Sequence, residues 1–310
     1  MKRQDFVKKL QENAANYFKE KKCAISNDKN REYILDSYVN WRNNIILPSV
    51  LNYLNNYKRD CNENKKPCPF HKWLHHGLSS QACLFNLFGP FLADNDWGPL
   101  KEILMLSKSE SGNYLTLRGN IDKAEFEYSI NKTFEENRGQ PTSIDLYVHT
   151  EKDEKIFIEF KFTESGFGVC SVYENGNCDG ANPLKNPKIC YLNELGRSYI
   201  DLMKKHELLI DNESCPFVEF YQAYRLLLFS LENDGHFVFI YDDRNPSFIN
   251  ELNGERHGKL IRFIKLLPER YQHNIYILTV KEIVHYLQKH YNYTWLDEFK
   301  KKYLLQSTGS

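Results

Sequence analysis

Residues 156–165 read "IFIEFKFTES". Five of the first seven side chains are apolar and strand-forming, and the other two are Glu159 and Lys161. Side chains at i and i+2 of a strand leave the same face. A carboxylate and an ammonium therefore stand side by side on what otherwise reads as a core strand. Upstream, "SIDLYV" at 143–148 has the same character, with Asp145 and Tyr147 on one face and Ile144, Leu146 and Val148 on the other. The segment between, "EKDEK", is short and charged, so the two runs form an antiparallel hairpin that brings Asp145 near Glu159.

Outward from this hairpin, "YLTLRG" (114–119) and "AEFEYSI" (124–130) read as further strands. Before them, "LSSQACLFNLFGPFL" is a short apolar helix, capped by Ser79 or Ser80 and stopping near Gly89-Pro90. After them come a buried helix, "PFVEFYQAYRLLLFSLEN", and strands "HFVFIYD" and "NIYILTV". "KEIVHYLQKHY" and "WLDEFKKKYL" close the chain as helices, and "STGS" is a frayed tail. The first 78 residues form a helical region, with Phe6, Leu10, Ala14 and Tyr17 at helical spacing and an interruption at Pro48. Residues 79–310 form the core, with a cysteine-containing insertion at 165–216. The fold class is α/β, a mixed α+β sheet with helices on its faces.

The bulk numbers set outer bounds. The 310 residues carry 41 basic and 41 acidic side chains, so any basic footprint for nucleic acid is local. Aromatic residues make up 14%, which argues against general disorder. The first residues lack the apolar core of a secretory signal, and no apolar run approaches the ~20 residues of a membrane span. A cytoplasmic chain with no membrane partner is expected. Its eight cysteines then read as thiols or metal ligands.

Asp145 and Glu159 offer hard oxygens to Mg²⁺, which on a phosphodiester polarises the phosphoryl oxygen and supplies a hydroxide-like water. Lys161 beside them orients or deprotonates that water, or stabilises the pentavalent phosphorus. By spacing alone the pattern is weak, because an exposed cross-strand ion pair is common. Near-continuous apolar flanks, as in buried strands, shift the balance toward a site.

These residues carry a resemblance. "RGQPTSIDLYV" with "IFIEFKFTE" is similar to the PD-(D/E)XK nuclease superfamily, and within it to a group of bacterial restriction endonucleases. "SSQACLFNLFGPFL", "EFEYS", the spaced cysteines and "FYQAYRLLLF" extend the match over residues 75 to 240. One departure is that no proline directly precedes Asp145; Pro141 lies four residues earlier. The resemblance implies a restriction-endonuclease-like αβββαβ core, with Asp145 and Glu159 as Mg²⁺ ligands and Lys161 as the catalytic lysine. It implies a further glutamate, for which Glu127 is preferred over Glu125. It also gives Gln222 a place at the active-site helix, holding the lysine or a water. Arg225 shares the Gln222 face and suits a phosphate.

Cys170, Cys178, Cys190 and Cys215 lie in a polar segment with little apolar content to order itself. Four thiolates on Zn²⁺ or an iron–sulfur cluster would order it. Cys61, Cys68, His71 and His75 form a looser pattern that reads first as a polar loop, although Lys72 and His75 could face phosphate. Lys58, Arg59, Lys65 and Lys66 read mostly as solvated. Cys23 and Cys83 read as isolated, Cys83 in the core.

The expected function is a Mg²⁺-dependent endodeoxyribonuclease in restriction or defence, acting on DNA, with a homodimer plausible because two strands call for two sites. The alternatives are a superfamily nuclease acting on single strands, ends or RNA, and a non-catalytic, metal-containing module that binds nucleic acid.

Overall fold

The computed structural model describes residues 2–64, 70–130, 132–136, 141–184, 190, 192, 195–209 and 214–305. Cys68, Lys65, Lys66 and the tail at 306–310 lie outside them, as do parts of the cysteine-containing insertion.

Helix α1 spans Arg3–Glu20 and buries Phe6, Leu10, Ala14 and Tyr17 on one face. A 3-10 turn at Tyr38–Asn44 leads to α2, Pro48–Glu63. Pro48 begins that helix and does not interrupt one, because the first-turn N–H has no intrahelical partner to lose. Helix α3, Ser80–Asp94, is capped by Ser79, whose hydroxyl accepts from the Ala82 N–H at 3.2 Å. It runs through Gly89 and Pro90, where the sequence suggested a stop, and ends at left-handed Asn95. Every residue from Ala82 to Leu92 is buried, so packing on all sides overrides the proline's local penalty. A Cβ on Gly89 would sit 2.5 Å from Val50 Cγ1, so glycine lets α2 and α3 approach. Helix α4 follows at Trp97–Leu104.

The sheet has five strands: β1 Ile121–Ser129, β2 Ser143–Thr150, β3 Lys155–Lys161, β4 Gly235–Tyr241 and β5 Ile275–Thr279. They lie in that order, with β1, β2 and β3 antiparallel and β3, β4 and β5 parallel. Helix α5 is Tyr199–Lys205, and α6, Phe217–Glu232, connects β3 to β4. Helices α7 (Lys259–Leu266), α8 (Val280–His290) and α9 (Trp295–Lys302) complete the helical layers. The order α3, β1, β2, β3, α6, β4 gives the expected αβββαβ core in a mixed α+β chain.

"YLTLRG" does not join the sheet; Tyr114 alone makes an isolated bridge, to Lys108. Leu115 and Leu117 are buried as a strand's would be. However, the Arg118 and Gly119 N–H groups donate to the Glu154 carboxylate, at 2.9 and 3.1 Å, where a ladder would need carbonyls.

Two apolar cores flank the sheet. Residues of α1, α2, α3, α4, α8 and α9 pack on the face bearing Leu146, Val148, Ile156, Ile158 and Ile240. Residues of α5, α6 and α7 pack on the face bearing Tyr147, Phe157, Phe237 and Phe239. The N-terminal helices thus share one core with the strands. Ile144 was expected beside Leu146 and Val148 but packs in the opposite core. The β1–β2 ladder pairs Phe126 with Leu146 and Tyr128 with Ile144, while Glu127 between them takes φ +52°. That left-handed residue twists the ribbon where the acidic side chains converge.

Candidate active site

Strand β2 supplies Asp145, β3 supplies Glu159 and Lys161, and β1 supplies Glu127. Asp145, Lys161 and Glu127 line one cavity of about 770 Å³ at the sheet end, between α3 and α6. The β2–β3 ladder runs from His149–Lys155 to Leu146–Ile158. Beyond it, the Asp145 carboxylate accepts the Phe160 N–H at 2.8 Å in place of a strand carbonyl. Chain topology thus sets Asp145 beside the end of β3.

Glu159 is fully buried and Lys161 is 5% exposed. Lys161 Nζ lies 2.7 Å from Glu159 Oε1, an ion pair by distance. Its angle is poor, and neither Glu159 oxygen has a well-formed hydrogen bond among the described residues. Lys161 Nζ instead donates to Gln222 Oε1 at 2.8 Å. Gln222 is fixed in turn through its backbone N–H to the Phe167 carbonyl, 2.8 Å. Glu127 accepts from Gln81 Nε2 and from Ser143 Oγ, the latter at 2.7 Å.

The electrostatics follow from this crowding. Burial, then the Glu159 and Glu127 charges, hold the Asp145 carboxyl well above the carboxylate range, against Lys161 and the Phe160 N–H. Burial also raises Glu159, with Lys161 opposing. Glu127 is pushed up to about 7, mainly by burial, despite the Gln81 and Ser143 hydrogen bonds. Burial alone would lower Lys161, but Glu159, Glu164 and Asp145 outweigh it and keep the ammonium charged. Three carboxyls crowd one ammonium, and the Glu159 oxygens have no well-formed hydrogen bond among the described residues. Such a donor set fits a hard divalent cation, with Asp145 and Glu159 as ligands and Glu127 in reach. As they stand, no group of three or more His, Cys, Asp or Glu side chains among the described residues is arranged to hold a metal ion.

Not every expected residue joins this cluster. Arg225 lines the cavity, but its guanidinium is engaged by Glu136 at 3.1 Å and by Thr142. Lys72 is exposed, with Nζ 4.9 Å from the Trp73 ring centroid. His75 packs among Tyr38, Trp73 and His76 and is not a lining residue; His71, Trp73 and His76 are. Cys61 is buried at the end of α2.

Three contributors went unread in the sequence. Gln81 bridges Glu127 and the His71 N–H, the latter at 2.8 Å. Ser143 is the second donor to Glu127. Glu164 lines the cavity, and its carboxylate accepts the Phe162 N–H at 2.8 Å. A polar Gln inside "SSQACLFNLF" and a third charge in "EFKFTES" were the available signals.

The cysteines share a neighbourhood. Cys170 N–H donates to the Phe217 carbonyl, and Cys215 N–H to that of Gly180, at 3.0 and 2.8 Å. Gly180 N–H points at Cys178 Sγ, 3.4 Å. The Cys215 thiol is pushed up to about 12, first by burial and then by Cys190, Cys170 and Cys178.

The chain belongs to a family described as restriction endonuclease associating with ARP, whose model matches residues 11–304. That family gives it a nuclease role in restriction or defence and implies DNA as the substrate. No curated protein and no solved structure matches the chain. Among the described residues no helix is long and apolar enough to cross a membrane.

Proposed function

We propose that this chain is a Mg²⁺-dependent endodeoxyribonuclease of the PD-(D/E)XK type, with Asp145 and Glu159 as metal ligands. The observation that carries the reading is the crowding of Asp145, Glu127 and a charged Lys161 on one cavity lining, with the buried Glu159 directly behind them and no well-formed hydrogen bond on its oxygens among the described residues. A pure binding module gains nothing from buried, mutually repelling carboxyls, and that sets the non-catalytic alternative aside.

When bound, Mg²⁺ would polarise the phosphoryl oxygen and acidify a water. The water oxygen attacks phosphorus, the P–O bond to one sugar breaks, the water's proton passes to solvent and the leaving oxygen takes one up. Lys161, held charged, is a donor and not a base: it orients the water and neutralises the pentavalent phosphorus. Gln222 fixes its Nζ. Glu127, tied to Gln81 and Ser143, completes the acidic wall.

Two further parts belong to this reading. Cys170, Cys178, Cys190 and Cys215 hold Zn²⁺ or an iron–sulfur cluster, which would convert the clustered thiols into stabilised thiolates and fix the segment after β3. Cutting both strands of a duplex calls for two acidic clusters, supplied by a symmetric pair of chains.

The test incubates purified protein with plasmid, linear duplex and RNA, with Mg²⁺ or EDTA, beside Asp145→Asn. The expected result is Mg²⁺-dependent DNA cutting lost in the variant. Equal cutting by the variant, or none by the wild type, sinks the reading. Elemental analysis of the same protein should find about one Zn per chain, or several Fe. A metal-free protein with full stability refutes the cysteine centre alone.

A further inference from the structure

Several rings, His71, Trp73 and His76, share the cavity lining with the carboxyls. Trp73 is 46% exposed and lines the same cavity as Asp145 and Lys161. Of the four tryptophans, Trp41 and Trp295 are 2% and 7% exposed and Trp97 is half-buried, whereas Trp73 is left open. Its loop is rigidly held. Asn44 Nδ2 donates to the Leu74 and His76 carbonyls at 2.8 and 2.7 Å, and Leu74 is fully buried. The Gly77 N–H reaches the Tyr33 carbonyl at 2.9 Å. The His71 N–H is bound by Gln81, whose other end grips Glu127, so two hydrogen bonds join the ring-bearing loop to the acidic cluster.

The neighbouring rings are not cations. His76 packs 4.8 Å from Trp73, and its pKa is held down to about 4 by burial and by the other histidines. His71 is lowered too, by burial and by Lys72. Neutral rings suit a base's π-face better than a phosphate. The acidic cluster is recessed, with Glu159 at 0% and Lys161 at 5% exposure. A base inside a duplex has both faces covered by its neighbours and cannot lie on a protein ring without leaving the stack.

Resting on the nuclease reading of this cavity, we propose that it takes DNA as an unstacked nucleotide. One base lies on Trp73 while the adjoining phosphate reaches the acidic cluster. The preferred form is therefore a single strand, a frayed end or an extruded nucleotide, with the exposed Lys72, whose Nζ lies over the ring at 4.9 Å, displaced by the base to a neighbouring phosphate.

The test measures binding in Asp145→Asn protein, so that nothing is cut, using a short single-stranded DNA and the blunt duplex of the same sequence. Adding Trp73→Ala is expected to weaken single-strand binding about tenfold or more, with Trp73→Phe retaining most of it. Duplex binding should change less than about twofold by the same stacking argument. Trp73 is exposed, so both variants should melt with the parent. Equal losses on both forms, no loss on either, or tighter binding of the matching RNA strand overturns the proposal. If wild-type protein cuts nothing with Mg²⁺ yet binding depends on Trp73, the hydrolytic reading fails and this one stands. If it cuts while Trp73→Ala binds normally, this one fails alone.

Discussion

Glu159 and Glu136 are both removed from water, at 0% and 1% exposure, and their surroundings are opposite. Glu136 accepts from the Thr142 N–H and hydroxyl, from Arg197 and Arg225, and from the Tyr199 hydroxyl. Glu159 has Lys161 near it, poorly aligned, and no well-formed hydrogen bond. A buried carboxylate serving the fold is saturated, because each unmet lone pair costs free energy. One left short of donors, in the proposed reading, is a carboxylate that a bound cation would satisfy. The buried lysines repeat the contrast. Lys161 faces Glu159, Glu164 and Asp145. Among the described residues Lys302 has no carboxylate within ion-pair distance; its Nζ meets Asn44 Oδ1 at 2.7 Å and the rings of Tyr17, Phe18 and Tyr303.

The sharpest way to break this comparison is Glu159→Gln. Cleavage should fall by more than about 10³-fold, some 4 kcal/mol of transition-state stabilisation. The melting temperature should change little, since one of several crowded carboxyls is neutralised while Glu164 and Asp145 remain to hold the Lys161 charge. A variant that melts early and still cuts would make Glu159 structural. Lys161→Ala should lower the single-turnover rate about 10²-fold with Mg²⁺ binding kept, because the donor to the pentavalent phosphorus is gone. Loss of Mg²⁺ binding in calorimetry would mark Lys161 as an ion-pair strut.

Glu136→Gln should reverse the first pattern. It removes the negative charge that Arg197 and Arg225 face, and both are partly open to solvent, so a loss of about 2 kcal/mol in denaturant unfolding is expected, with cleavage by the folded protein largely kept. Equal damage from Glu136→Gln and Glu159→Gln to both stability and cutting would erase the distinction.

The smallest effect concerns Lys302. Burial lowers its pKa from 10.5 to about 7, against the pull of Cys23, Cys83 and Glu298. Below that value both folded and unfolded chains carry the proton, and the burial penalty is felt in full. As pH rises toward 10.5 the folded state has released a proton that the unfolded chain still binds, so wild-type stability gains. Lys302→Met should therefore stabilise most below neutrality, with the advantage shrinking in alkali. A melting difference independent of pH would show that Lys302 stays charged.

The strands, the αβββαβ order and the shared face of Glu159 and Lys161 were legible because strand alternation is local. The hairpin length alone placed Asp145 near them. Gln222 was legible as a lysine holder through resemblance, and the 2.8 Å contact gives that role its geometry. Other features depend on neighbours distant in sequence. Pro90 remains inside α3 because both sides of the helix are packed. Residues 114–119 stay out of the sheet because Glu154, 36 residues from Arg118, takes their N–H groups. Glu127 has its positive φ, and its partners Gln81 and Ser143, only where the β1–β2 ribbon meets α3. Which side chains share a face of β3 follows from covalent geometry over two residues; on β2 that alternation failed at Ile144, which packs in the core opposite Leu146 and Val148. Which buried charges are satisfied and which stand open was settled by contacts distant in sequence. A carboxylate's partners come from whatever elements the fold brings against it: five donors for Glu136, and for Glu159 a poorly aligned lysine and the Asp145 carboxyl.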